Sequence, residues 1–184
     1  GTLGTKMNSA LQPFTESESA ASVLAGAISA VEAVFQTDAP LIVKRKLFDT
    51  ACWLVSERHG KYKTRYRSEG SLVASKNELR HEHIIPRAQL WFVARRSMSV
   101  SDALRACEAC VVTKEEHSRL HAVEEAYGWE RYAKADISVI DLLSGEAIPK
   151  SRLLKMSLPF KKAFREARFV GDGQEELESM RING

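Results

Sequence analysis

The hydrophobic positions fall into two long helical patterns followed by shorter, mixed ones. Val23, Leu24, Ala27, Ile28, Val31, Val34 and Phe35 recur at three- and four-residue intervals, which predicts a helix with one buried stripe. Asp38-Ala39-Pro40 breaks it. A second helix follows with Leu47, Phe48, Ala51, Cys52, Leu54 and Val55 inward, stopping near Gly60. From Lys61 to Arg67 the pattern changes to period two. Lys61, Lys63, Arg65 and Arg67 would share one face of a strand, with Tyr62, Thr64 and Tyr66 on the other. Gly70 marks a turn. His81 to Ile85 reads as a short strand closed by Pro86, and Ala88 to Ser97 as a helix. A short helical turn is expected from Ser101 to Ala106, then a strand at Val111-Val112. Thr113 with Glu116 three positions on forms a capping box, so a helix should open there and run to Tyr127 and Gly128. Ile137 to Leu142 predicts a further strand. Ser157-Leu158-Pro159 opens a last helix carrying Lys161, Lys162, Arg165 and Arg168.

This pattern gives an α+β chain, mostly helical, with one domain over residues 19–170. Residues 1–18 read as a tag remnant and flexible N-terminus, with Met7 as the natural start, and 171–184 as a frayed tail. A composition of 44% hydrophobic and 28% charged residues is that of a folded globular chain. The net charge of +3 permits a polyanionic partner without requiring one. No run approaches the length of a membrane span, and there is no secretory leader pattern. Cys52, Cys107 and Cys110 are too few for a disulfide scaffold and suit a reducing, cytoplasmic compartment. The single C-x-x-C pair, Cys107 and Cys110, reads as structural. Trp53, Trp91 and Trp129 sit among apolar neighbours and are expected to be wholly or partly buried.

Candidate chemistry is concentrated. Four of the five histidines (His81, His83, His117 and His121) fall in two short segments. His117 and His121 lie four apart on the capped helix, which puts both imidazoles on one face, as a shared metal needs. Glu82 and His83 are neighbours on a strand and so point to opposite sides. One can bind metal while the other faces substrate. His81 could replace Glu82 as ligand if the register shifts by one. Arg80 and Arg87 flank this segment as candidate phosphate clamps, and Lys61, Lys63, Arg65 and Arg67 form a candidate phosphate-tracking face or, equally, a solvated strand edge.

Glu82-His83-Ile84-Ile85-Pro86 resembles the first half of the His-Asn-His (ββα-metal) nuclease motif. Val111-Val112-Thr113 through His117 and His121 resembles its second half, as found in colicin-type DNases. The similarity spans about forty residues, Glu82 to His121, with the ββα-metal core expected at about 79–128. It implies that Glu82, His117 and His121 are metal ligands and His83 the general base. The family's middle asparagine is missing; Glu108 stands near its place and is the candidate loop anchor. The resemblance implies an endonuclease hydrolysing phosphodiester bonds of DNA, or of RNA, with a divalent ion (magnesium, manganese, nickel or zinc). Expected partners are the nucleic acid, a second copy of the chain, and an immunity protein if the chain is a toxin. The alternatives are a non-catalytic nucleic-acid-binding or regulatory protein on a decayed frame of this type, and a zinc hydrolase of a small substrate.

Overall fold

The computed structural model describes residues 11–123 and 125–170. Two helices come first, α1 (Ala20–Phe35) and α2 (Leu41–Ser56). The chain continues through β1 (Tyr66–Ser68), α3 (Glu69–Val73), a 3-10 turn (Lys76–Glu78) and β2 (Leu79–His83). After α4 (Arg87–Ala94) and α5 (Val100–Arg105) come β3 (Ala109–Thr113), α6 (Lys114–Ala122), α7 (Trp129–Lys134), β4 (Val139–Asp141), β5 (Glu146–Ala147), α8 (Lys150–Met156) and α9 (Leu158–Ala167). The fold is of the α+β class. The sheet order is β2-β3-β1-β4-β5; β1 runs parallel to β3 and the other pairs are antiparallel. The link between β2 and β3 carries α4 and α5, so the two strands are neighbours without forming a tight hairpin.

Two apolar clusters hold these elements. One joins α1, α2, α4, α5 and α9 through Ile28, Val31, Phe48, Val55, Leu90, Phe92, Leu104 and Phe164. The other lies between the sheet and α6, α7 and α8, through Ile84, Cys110, Val112, Leu120, Trp129, Tyr132, Val139 and Leu153. Trp91 and Trp129 are buried, whereas Trp53 is 38% exposed. The three cysteines are free and buried. Among the described residues, no helix is long and apolar enough to cross a membrane.

Local propensity and tertiary packing disagree at several places; on α2, Leu47 and Leu54, expected inward, are 44% and 55% exposed, while Phe48, Ala51, Cys52 and Val55 are buried. The expected strand over residues 61–67 begins only at Tyr66, because Gly60 (φ +106°) and Tyr62 (φ +60°) turn the chain and Lys63 N–H donates to the Gly60 carbonyl. Gly70 lies inside α3, where a Cβ would come within 2.6 Å of Glu116 Oε1; the glycine permits that approach. The helix opening at Thr113 has the expected capping box but ends at Ala122, five residues early. Ala126 and Tyr127 leave the helical path to be packed, Tyr127 against Phe160 and Phe164. Finally, residues 11–18 are described as docked at two points. Phe14 N–H donates to the Leu142 carbonyl, and Ser17 N–H to His59 Nδ1. The expected tag remnant (Gly1–Lys6), the Met7 start and the frayed 171–184 tail lie outside the described residues.

Candidate metal centre

The register of β2 on β3 decides the site. Glu82 lies opposite Cys110 and His83 opposite Ala109. Alternation along β2 sends Glu82 toward α6 and α7, and sends His81 and His83 to the α2 side. The capping box fixes where α6 starts: Thr113 Oγ1 accepts from Glu116 N–H at 3.1 Å, and Glu116 Oε2 accepts from Thr113 N–H at 2.8 Å. Ser68 also donates to Glu116, tying the start of α6 to β1. With the helix pinned there, His117 and His121 fall one turn apart over β2.

Glu82, His117 and His121 each offer one ligand atom, and the three atoms lie within 4.8 Å of one another. Glu82 Oε2 is 2.6 Å from His117 Nδ1 and 3.6 Å from His121 Nε2. The carboxylate is buried, while the side chains of His117 and His121 are 36% and 54% exposed. A buried acid beneath two accessible imidazoles is a donor set suited to a divalent ion that keeps open positions. These residues could therefore hold a metal.

Arg131 completes the floor and had no signal in the sequence. Its buried guanidinium comes from α7, and Nη2 lies 3.2 Å from Glu82 Oε1, 2.9 Å from the His83 carbonyl and 2.7 Å from the Ile84 carbonyl. It holds one carboxylate oxygen and fixes the backbone after β2, leaving the other oxygen to face the histidines. Only a fold that brings residue 131 beside residue 82 reveals this role.

His83 occupies a different environment from Glu82, His117 and His121. Its Nε2 is 3.0 Å from Ser56 Oγ, and Trp53 packs edge-on at 4.6 Å between ring centroids. Burial, with the nearby charges of His81 and Arg87, pushes its pKa down to about 3. The ring is therefore neutral at physiological pH. His81 Nε2 also lies 3.0 Å from Ser56 Oγ, so His81 points away from Glu82, His117 and His121. Its Nδ1 has no hydrogen-bond partner, and burial lowers its pKa too. Ser56 and Trp53 are thus neighbours of His83 that spacing alone could not supply.

The remaining candidates are dispersed. The Glu108 carboxylate pairs with Arg58 at 3.2 Å, but its backbone carbonyl accepts from Ile84 N–H at 3.0 Å, so the loop after β2 is tied through the main chain. Arg87 lies 3.5 Å from Asp49 and over the Trp53 ring. Arg80 donates to the carbonyls of Asn77 and Leu79. Arg65 forms a two-pronged bond to Asp141 at 2.8 and 2.7 Å, and half-buried Arg67 bonds Ser71. Lys61 and Lys63 lie in the turn before β1. The four cations at 61, 63, 65 and 67 therefore do not form one strand face. Comparison with family models, curated proteins and solved structures gave no match.

Proposed function

We propose that this chain is a metal-dependent endonuclease that hydrolyses phosphodiester bonds of DNA. One observation carries the reading: Glu82 Oε2 faces His117 Nδ1 and His121 Nε2, with all three donors within 4.8 Å. The resemblance of Glu82–Pro86 and Val111–His121 to the His-Asn-His motif supports it. A divalent ion held by these three residues would supply positive charge against the phosphate and its leaving oxygen. Arg131 holds the other carboxylate oxygen of Glu82 and so orients the group. His83 is assigned as the group that takes the proton of the attacking water; with its pKa at about 3 the ring is a weak base, so the assignment rests on its place beside Glu82 and not on its pKa. In the tautomer whose Nε2–H donates to Ser56 Oγ, Nδ1 is the accepting nitrogen. Ser56 fixes the ring plane and Trp53 limits the water around it.

The burial of His83 on the α2 side favours a second reading, a metal-containing nucleic-acid-binding protein without hydrolysis. Plasmid nicking with magnesium, manganese, nickel or zinc separates the two. The nuclease reading expects nicking that chelation stops and His83→Ala abolishes, while His83→Ala keeps the rise in melting midpoint that metal gives the wild type. The same rise should largely vanish in His117→Ala and His121→Ala, because metal binds the folded state alone. Equal rises in wild type and both helix variants would remove the metal from this site. Loss of the rise in His83→Ala would make His83 a ligand and overturn its assignment as base.

A further inference from the structure

We propose that the outward face of the α8–α9 corner binds the phosphates of a nucleic-acid strand, through Lys155, Lys162 and Arg165. The proposal rests on the nuclease reading and moves its polyanion contacts away from residues 61–67, where Arg65 and Arg67 are committed within the fold.

Charge is the first observation. From Lys150 to Arg168 the chain carries Lys150, Arg152, Lys155, Lys161, Lys162, Arg165 and Arg168 against the single acid Glu166. Three of these cations are engaged: Lys150 near Asp136, Lys161 on Glu130, and Arg168 on the Tyr127 hydroxyl. Lys155, Lys162 and Arg165 are exposed and have no ion pair among the described residues; Arg152, also exposed, acts on the Asp141 carboxyl instead. Close cations repel one another, and neutralising a phosphate strand relieves that repulsion while releasing its counterions.

Geometry is the second. In α9 the residues Phe160, Ala163, Phe164 and Ala167 are buried. Leu158, Lys162 and Arg165 follow at steps of four and three on the opposite, exposed side, and Phe169, two residues past the end of the helix, is exposed as well. Lys155 lies two residues before Ser157, where α8 gives way to α9. Ser157 Oγ accepts from Trp129 N–H at 2.9 Å, and Gly128 packs so closely that a Cβ there would collide with it. The corner is thus fixed to α7. That same helix places Arg131 on Glu82 and Glu130 on Lys161, so it joins the basic face to the candidate metal centre. Phe169, 89% exposed, adds a ring on which a base can stack. Exposed Leu158 and Phe169 beside cations would also suit an anionic membrane; the link through α7 to the phosphodiester site favours nucleic acid.

The test is Lys155→Gln/Lys162→Gln/Arg165→Gln against wild type, with Lys61→Gln/Lys63→Gln as a second comparison. Fluorescence anisotropy with a labelled DNA duplex in chelator reads binding without cleavage. The triple variant should bind at least about tenfold more weakly near 0.1 M salt, with a log–log salt slope shallower by about 2 to 3. The Lys61/Lys63 variant should change much less. Hydrolysis of bis(p-nitrophenyl) phosphate with manganese should be unchanged in the triple variant, since none of its positions touches the metal donors. An unchanged slope and affinity, or a wild type that binds no DNA, overturns the proposal. Binding of the wild type to phosphatidylserine vesicles in place of DNA, lost in the triple variant, would assign the face to a membrane and likewise overturn it. Patch-dependent DNA binding in a wild type that hydrolyses no phosphodiester would leave this face standing and remove the nuclease reading alone.

Discussion

Arg131→Met is the sharpest perturbation of the candidate centre that leaves its three donors in place. Arg131 and Glu82 each have side chains only 7% exposed. A single nitrogen, Nη2, serves three acceptors with two hydrogens, so the shorter contacts to the Ile84 and His83 carbonyls dominate and the 3.2 Å contact to Glu82 is shared. Methionine fills similar volume without a charge. Two carbonyls then lose a cationic donor, and the Glu82 carboxylate loses its buried counter-ion. Breaking a buried pair from one side typically costs about 3–5 kcal/mol. Here the lower half of that range is expected, because His117 Nδ1 remains 2.6 Å from the carboxylate. At about 2–4 °C per kcal/mol for a chain of this size, the midpoint should fall by roughly 6–15 °C. Thermal melts in chelator, followed by circular dichroism, measure it. Adding manganese or zinc should still raise the midpoint, since no ligand is lost and a competing cation near Glu82 is gone. A fall below about 2 °C would mean that Arg131 is not the counter-ion of the centre. Loss of the metal-dependent rise would mean that the donors depend on it far more than its contacts imply.

Further outcomes follow from other contacts. Gly70→Ala should destabilise by about 1–3 kcal/mol and reduce the metal-dependent rise, because its Cβ would stand 2.6 Å from Glu116 Oε1 and disturb the cap that sets the start of α6; melting with and without metal checks both effects. The Arg65 guanidinium holds the Asp141 carboxyl below its usual range, so that pair contributes stability above the unfolded carboxyl pKa and loses it as pH falls through the lower folded value. Asp141→Asn should therefore cost about 1 kcal/mol at neutral pH, discounted because Arg65 is partly exposed, and should flatten the acid limb in urea melts from pH 6 to 3. A variant as acid-sensitive as wild type would refute that link. The hydrogen bond to Cys52, with burial, pushes the Cys107 thiol up, burial pushes the Cys110 thiol up, and all three cysteines are inaccessible. A thiol reagent such as Ellman's should label none in the native chain and all three in denaturant; rapid native labelling would place a cysteine at the surface.

The strongest local signals were decided by the sequence itself. Helices α1 and α2 follow from an apolar stripe of period 3.6 and the Pro40 break. The start of α6 follows from a cap that Thr113 and Glu116 make with each other, needing no distant residue. Because helix geometry is fixed, that start also placed His117 and His121 on one face. The strand Leu79–His83 then separated Glu82 from His81 and His83 by simple alternation. Tertiary structure decided what depends on residues far apart in the chain. Period two over residues 61–67 described a strand edge, but Gly60 and Tyr62 turned the backbone and Asp141, 76 residues on, claimed Arg65. The end of α6 was set by the burial of Ala126 and the packing of half-buried Tyr127 on Phe164, which outweigh the small free energy of adding helical residues. Arg131 under Glu82 and Ser56 against His83 are 49 and 27 residues from their partners. No spacing rule links such pairs, because only the packing of α7 and α2 on opposite sides of β2 brings them to the site.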